Sequence, residues 1–321
     1  MVKTKATLSS FLAFACCFLF VFTQPKFAQA AYKNLITFES VKSTKNVMRF
    51  AIIGDLTGGE RPGVFSEAAH RLHQLQPDFV LSVGDLISGG TNDIEQLNRE
   101  WQSFIRRLSV IDRPFYPTVG NHDISNLVQR QWYQREIGPR YYHIRQNDVL
   151  FLILDSEDYS EQRFSELERL RQKAFVIYEQ SPQKFKDTAY AQAPEQKYGA
   201  ISEAQRDYFI EAINANLDAK WVFLLMHKPA WQSDNAHHFN EIERSLAKLN
   251  YTVIAGHVHA YSHSERKGRD YIVMGTTGGA IIEGAAGTAM DHILWVTIDE
   301  SGVPELLNIT LQGMKPKTTM P

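Results

Sequence analysis

The amino-acid sequence predicts a single α/β domain, and three observations favour this class. Short apolar segments recur along the chain, as expected for strands buried in a sheet. Segments with helical spacing separate several of them, which is the alternation typical of α/β folds. The 321 residues are 44% hydrophobic, enough for one large core, and no internal repeat or clear linker divides the chain.

The first half of the sequence predicts four strands and two amphipathic helices. Each strand is an apolar run that ends in glycine or a polar residue, and Pro77 follows the first helix. The expected strands are 47–53, 78–83, 115–119 and 149–154, and the expected helices are 64–75 and 95–109.

The second half predicts further strands and helices after an irregular region. Residues 157–199 are rich in charged residues, Gln and Tyr, and we expect a helical excursion on the surface. Ser202, with Gln205 three positions later, fits a capping box at the start of a helix. Three closely spaced late strands predict a separate antiparallel sheet. The expected helices are 202–217 and 239–249, and the expected strands are 221–226, 251–255, 271–275, 293–298 and 304–311.

The first 30 residues have the layout of a secretory signal peptide. Lys3 and Lys5 precede an apolar run, and Ala28-Gln29-Ala30 supplies small residues for cleavage. The run is shorter than the ~20 residues that a membrane-spanning helix needs. We therefore expect cleavage after Ala30 and an exported domain of residues 31–321. A lipid on Cys16 is the weaker alternative, because Ala13 stands where a leucine is usual.

Removing this segment would change both the thiol content and the charge. The two cysteines of the chain, Cys16 and Cys17, lie in it, so the mature protein would have neither a disulfide nor a thiolate metal ligand. It also carries Lys3, Lys5 and Lys26 but no acid, so the formal net charge would change from −2 to −5. Nothing in this charge indicates a nucleic-acid partner, and no membrane anchor is expected after cleavage.

Metal-capable side chains follow five of the predicted strands. In open α/β sheets the functional crevice lies beyond the carboxyl ends of the strands. Each residue alone has an ordinary explanation, such as a turn, a helix cap or a buried histidine. Five such residues or pairs at strand ends are hard to explain by chance, and two histidines two apart in an extended segment point the same way. The residues are Asp55, Asp85, Asn121 with His122, His227, and His257 with His259.

The segments around these residues resemble the motifs of the calcineurin-like metallophosphoesterase superfamily, and a purple acid phosphatase-like branch is one option within it. The resemblance spans about residues 47–259 and implies a four-layer α/β/β/α sandwich, with two mixed β-sheets flanked by helices. The matching segments are Gly54-Asp55-Leu56-Thr57, Gly84-Asp85, Gly120-Asn121-His122-Asp123, His227 and Gly256-His257-Val258-His259.

The resemblance also implies two metal ions, manganese, iron or zinc, and a phosphate-ester substrate. Asp55 and His259 would bind the first metal, and Asp85 would bridge to the second. His122 would act as the general acid for the leaving oxygen. The remaining ligands of the second metal would be Asn121, His227 and His257.

Two positions depart from the family pattern. Thr57 stands where many members have a metal-binding histidine, and Ser88 stands where others have an aspartate that orients the catalytic histidine or a tyrosine ligand. We therefore expect the first metal site to be the weaker one and His122 to lack its usual partner. These departures also favour an alternative, a metal- or ligand-binding protein that keeps the fold without turnover.

Three further groups of residues have open interpretations. His237 and His238 fit either the substrate mouth or a solvated loop. The glycine-rich segment 275–279 fits either a phosphate-binding loop or a turn. His70 and His73 lie on a helical pattern and are expected at the surface.

Overall fold

Two mixed β-sheets pack face to face with helices on their outer sides, as predicted. The computed structural model describes residues 35–41, 46–282, 288–310 and 313–318. Each sheet has six strands. The predicted signal segment, residues 1–30, lies outside the described residues. Among the helices of the described part, none is long and apolar enough to cross a bilayer.

The first sheet has the strand order β12-β11-β10-β1-β2-β3. Strands β1, β2 and β3 are parallel to one another, and β10, β11 and β12 continue the sheet as antiparallel neighbours. The bounds are β1 Met48–Ile53, β2 Phe79–Ser82, β3 Phe115–Tyr116, β10 His292–Ile298, β11 Pro304–Thr310 and β12 Gly313–Pro316.

The second sheet has the order β4-β5-β6-β7-β9-β8. Its four central strands are parallel, and β4 and β8 close the two edges as antiparallel strands. The bounds are β4 Tyr142–Gln146, β5 Val149–Ile153, β6 Trp221–Leu225, β7 Tyr251–Ala255, β8 Ser262–Arg266 and β9 Arg269–Val273.

Helices cover the outer faces of both sheets, and one insertion extends from the second. The helices are α1 Val64–Leu75, α2 Ile94–Leu108, α3 Leu127–Glu136, α4 Glu161–Gln180, α5 Glu195–Tyr198, α6 Glu203–Asn214 and α7 His237–Ser245. Short 3₁₀ turns occupy Pro182–Asp187 and Ala230–Gln232. The region between β5 and α6, which holds α4 and α5, is called the insertion below.

The centre of the sandwich is aromatic. Phe50 of the first sheet stacks on Phe79 and meets Phe151 and Phe223 of the second sheet edge-on, with ring centroids 5.2–5.3 Å apart. Such aromatic pairs add stabilisation beyond the burial of apolar area. Phe50, Phe79 and Phe223 lie on β1, β2 and β6, so the contact joins three of the strands that are followed by predicted metal ligands.

Several sequence expectations need correction. The late strands do not form a sheet of their own. Instead β10 pairs with β1 in the first sheet, whereas β9 pairs with β7 in the second. Strand β4 and helix α3 were not predicted, since their polar residues hide the apolar pattern. The predicted strand 115–119 is shorter than expected, because only Phe115–Tyr116 pairs regularly.

Candidate metal centre

The predicted ligands converge at one end of the sandwich, where β1, β2, β6 and β7 end. Ligand atoms of Asp55, Asp85 and His259 lie within 4.8 Å of one another, and all three residues are buried. They come from the two different sheets, so the sandwich itself brings them together. The predicted first metal position is therefore a compact group of two carboxylates and one imidazole.

One carboxylate oxygen of this group has no hydrogen-bond partner. Asp55 Oδ1 accepts from the His257 amide at 2.8 Å and lies 3.4 Å from His259 Nε2. Asp55 Oδ2 is buried, and no partner for it exists among the described residues. Burying an unpaired carboxylate oxygen is costly, and a cation would relieve that cost. The donor set of oxygen and nitrogen atoms also suits manganese, iron or zinc, so these residues fit a metal ion.

The residues predicted for the second metal position lie next to Asp85. His227 Nε2 lies 3.2 Å from Asp85 Oδ2 and 3.0 Å from Asn121 Oδ1. The His257 ring is 5.1 Å from the His227 ring, centroid to centroid. All six predicted ligands are thus neighbours, and Asp85 lies between the two groups, as a bridging ligand must.

Electrostatic coupling in this group is strong. Burial alone would lower the pKa of His227, but the adjacent Asp85 carboxylate outweighs it and raises that pKa to about 9. Burial would likewise raise the pKa of Asp85, but His227 and His122 hold it well below its usual range. Burial, Lys228 and His227 hold the pKa of His257 well below its usual range, so this imidazole is neutral. The fold therefore keeps carboxylate charge in the centre and favours positive charge beside it.

Each of the four imidazoles at the centre uses one ring nitrogen to contact a main-chain carbonyl. A carbonyl only accepts, so that nitrogen carries the proton and the other nitrogen faces elsewhere. Metal-binding histidines are commonly oriented in this way. The contacts are His122 Nδ1 to Ser88 O at 2.7 Å, His227 Nδ1 to Val83 O at 2.8 Å, His257 Nε2 to Gln196 O at 2.6 Å and His259 Nδ1 to Ala280 O at 2.6 Å.

The backbone of the centre has strained conformations at four predicted ligands, and two of its glycines pack closely against carboxylates. Four predicted ligands have left-handed backbone, which side chains other than glycine seldom adopt. A Cβ on Gly120 would lie 2.2 Å from Asp85 Oδ1, and one on Gly256 would lie 2.3 Å from Asp55 Oδ2. Glycine is therefore required at both positions, because any side chain there would collide with an aspartate carboxylate. The strained residues are Asp55 (φ 53°), Asp85 (φ 57°), His257 (φ 73°) and His259 (φ 58°).

Asp123 is a supporting residue that the sequence did not single out. Its buried carboxylate accepts four main-chain N–H groups and so joins the loops after β2 and β3. Burial and the nearby Asp85 charge raise the pKa of Asp123 to about 7. Its position after Asn121-His122 in the motif was the signal available. The donors are the amides of Asp85, Leu86, Ile87 and Gly120.

The two unusual positions contact each other. Thr57 Oγ1 and Ser88 Oγ lie 3.1 Å apart, and Thr57 is buried beside the first metal position. Ser88 offers no carboxylate to His122, but its main-chain carbonyl contacts His122 Nδ1 in place of the usual aspartate. The His122 amide also donates to Asp85 Oδ1 at 2.9 Å. The departure at residue 88 thus leaves His122 oriented, whereas Thr57 adds only a hydroxyl.

The remaining candidate residues lie in a turn, beside a cavity and at the surface. In the glycine-rich segment, the amides of Thr277 and Gly279 donate to the carbonyls of Gly54 and Asp55, which favours a structural turn. His238 lines a cavity of about 280 Å³ between residues 194–201 and 230–239. His237 lines the same cavity. His70 and His73 are exposed, as expected.

Two contacts that join the insertion to the wall of the centre have no signal in the sequence. The Gln196 carbonyl contacts His257, and no local pattern marks that residue. Lys228, which directly follows His227, forms a buried ion pair with Glu157, with Nζ 2.8 Å from the carboxylate. Both line a small pocket that Asn121 also borders. The insertion is thus part of the wall of the centre as well as a surface excursion.

Comparison with known proteins agrees with this architecture. The profile of the family described as calcineurin-like phosphoesterase matches residues 48–261. No curated protein gives a significant sequence match. A dimetal phosphatase from Danio rerio is 13% identical, with a TM-score of 0.55, covering 85% of this chain and 98% of that one. GAP50 of Plasmodium, described as the anchor in the inner membrane complex, is 14% identical, with a TM-score of 0.52, covering 86% and 90%. At these identities, the two structures show a shared fold.

Proposed function

Since the chain belongs to the calcineurin-like phosphoesterase family, we propose that it is an exported, metal-dependent phosphoesterase that hydrolyses small phosphate mono- or diesters. The observation that carries the proposal is the convergence of Asp55, Asp85 and His259 from two sheets, with an unpaired carboxylate oxygen in their midst. A group of this kind suits cation binding.

The side chains divide into two ligand groups that share one residue. Asp55 and His259 would hold the first ion, and Asp85 would lie between the two ions. Two bound ions would neutralise phosphoryl oxygens and lower the pKa of a water for attack on phosphorus. The second ion would be held by Asp85, Asn121, His227 and His257.

His122 has the geometry of a proton donor. Its Nδ1 contacts the Ser88 carbonyl, which orients the ring, and its main-chain amide donates to Asp85, which fixes its backbone. The protonated ring would then carry its second proton on Nε2, the nitrogen left free by these contacts. We propose that Nε2 donates this proton to the leaving oxygen of the ester.

A second candidate function is binding without turnover. Thr57 and Ser88 favour it, because they reduce the ligands available to the first metal. A fold neighbour described as an anchor in a membrane complex shows that the fold is compatible with other roles. The four candidate ligands at the second position and the oriented ring of His122 favour hydrolysis instead.

Metal analysis of the purified protein, paired with a panel of phosphate mono- and diesters, tests the proposal. We expect bound transition metal and hydrolysis of at least one ester that stops on chelation. Asp85→Asn is the variant that tests the mechanism, because it removes the charge next to both ligand groups and hardly changes the side-chain volume. It should lose bound metal and all detectable activity. Wild-type turnover in Asp85→Asn would reject the two-metal mechanism, and metal binding without any hydrolysis would favour the binding protein.

Export is a separate part of the proposal. The basic start, the apolar run and the Ala28-Gln29-Ala30 site motivate it. N-terminal sequencing of material recovered outside the cytoplasm should begin at Ala31. A chain that retains Met1, or that carries a lipid on Cys16, would contradict the assignment.

A further inference from the structure

The short helix α5 of the insertion rests directly on the metal centre. The carbonyl of Gln196 accepts a hydrogen bond from His257 Nε2 at 2.6 Å. His257 lies at the end of β7 in the second sheet, whereas Gln196 lies 61 residues earlier in the chain. Of the four carbonyls that orient imidazoles at the centre, this is the one supplied by the insertion.

An ion pair joins α5 to the long helix α4. Glu195, the neighbour of Gln196, accepts from Arg163 Nε at 2.6 Å. The Tyr159 hydroxyl donates to the Glu195 carbonyl at 3.2 Å. Beyond α5, the Ala200 amide donates to the Ser156 carbonyl at 2.8 Å, which returns the chain to the end of β5. Glu195 therefore contributes two of the contacts that hold the main chain at Gln196, beside the bond from the Gln196 amide to the Ala193 carbonyl at 2.9 Å.

The carboxylate of Glu195 is partly withdrawn from water. Its side chain is 17% exposed, and Oε2 is buried with no partner among the described residues. Burial alone would raise the pKa of Glu195, but hydrogen bonding from Arg163 outweighs this and lowers it. Removing the charge would therefore release Arg163 from α5 and leave the neighbouring main chain less constrained.

We propose that Glu195 is a positioning residue for the second metal: its ion pair with Arg163 holds the Gln196 carbonyl against His257 and thereby selects the ring nitrogen that binds the ion. This inference rests on the proposed two-metal function. A neutral imidazole carries one proton, so an Nε2–H that donates to Gln196 leaves Nδ1 as the nitrogen with a free lone pair. A displaced carbonyl would let both tautomers form and would weaken the site.

The chain contains a matched control for this pair. Arg163 also contacts Glu166 through Nη1, at 2.8 Å, within its own helix. The Glu166 side chain is 49% exposed and does not belong to α5. Glu195→Gln and Glu166→Gln therefore remove the same charge from the same arginine, but only the first affects the segment that contacts His257.

The experiment measures Mn²⁺ binding and the tautomer of His257 in the full mature chain. Calorimetric titration of Glu195→Gln should show about tenfold weaker binding of the second ion, the lower end of the range for residues that support metal ligands, with the first ion unchanged. Nitrogen-15 NMR of the metal-free protein, at one pH, should show Nε2–H in the wild type and a mixture of tautomers in Glu195→Gln. Glu166→Gln should match the wild type in both measurements.

The two readouts separate this inference from the proposed function. If the wild type binds no Mn²⁺, the two-metal function fails, and the tautomer comparison still decides whether Glu195 positions the ring. If Glu195→Gln matches Glu166→Gln in tautomer and titration, the positioning role is rejected. Arg163→Met combined with Glu195→Gln should weaken binding no further than Glu195→Gln alone, because both changes break one pair. An additive loss would also reject the inference.

Discussion

The two halves of the metal centre are built in different ways. In the first half, Asp55 and His259 are held by loops at the sheet ends, and the His259 ring is oriented by Ala280. In the second half, the His257 ring is oriented by Gln196 of the insertion. The first half is thus fixed by loops at the ends of the sheets but has fewer candidate ligands. The second half has more candidate ligands, and one of them, His257, depends on the insertion.

This difference predicts unequal metal affinity. Asp55, Asp85 and His259 offer three strong ligands to the first ion. Hydroxyls such as that of Thr57 are neutral at working pH and bind divalent ions less well than imidazole or carboxylate. We therefore expect the second ion to bind tightly and the first to exchange. The second ion would draw on four ligands: Asp85, Asn121, His227 and His257.

The largest effect is expected from a substitution of His122, which belongs to neither half. His122→Asn should lower kcat by ~10²–10⁴-fold, the usual range for loss of a general acid. Metal content should stay near that of the wild type in both halves, because His122 contacts Asp85 through its backbone amide, which the substitution retains. Steady-state kinetics and metal analysis of the same preparation provide the measurement.

The leaving group supplies the control for this variant. An ester with a very acidic leaving alcohol needs little protonation, so His122→Asn should hydrolyse it at nearly the wild-type rate. If the variant instead loses much of its metal, His122 would have to be reassigned as a ligand. Equal losses on all esters with full metal content would argue against proton donation.

A substitution with a smaller expected effect, Thr57→His, should reduce the difference in metal affinity between the two halves. Thr57→His adds the imidazole that related proteins commonly have next to the first metal. The first ion should then bind at least about tenfold more tightly, or ~1.4 kcal/mol, and activity should depend less on added metal. Titration with Mn²⁺ after mild chelation measures the change.

Ser88→Ala is the companion variant for this test. It breaks the Thr57–Ser88 hydroxyl contact without adding a ligand and leaves the Ser88 carbonyl that orients His122. It should leave the affinity of the first ion within a few-fold of the wild type. Two equally tight ions in the unmodified protein would contradict the unequal halves and would indicate a ligand not identified at the first position.

The sequence predicted the parts of the centre that depend on local pattern. Asp55, Asp85 and His259 directly follow apolar strands, so their shared location follows from strand direction alone. The contact between Gln196 and His257 has no such signal, because it uses a main-chain carbonyl that any residue could supply. The contact between the Ser88 carbonyl and His122 has no sequence signal for the same reason, since the side chain at residue 88 does not determine it.

Local sequence pattern also fails to predict which sheet each strand joins. The helix Val64–Leu75 was predicted to the residue, because its apolar spacing and Pro77 both mark its extent. The pairing of β10 with β1 joins segments about 240 residues apart, and short spacing among the late strands suggested a local sheet instead. Periodicity identifies an element, but the choice of partner depends on which apolar faces can be buried together.

The left-handed backbone at the centre has a consequence for the stability of this chain. Among the described residues, eight other than glycine have positive φ, and four of these are the predicted ligands Asp55, Asp85, His257 and His259. Such conformations cost on the order of 1–3 kcal/mol each unless the surroundings enforce them. Selection for stability alone would favour glycine at these four positions. The side chains at these four positions therefore reduce stability, which indicates that they serve another role at the centre.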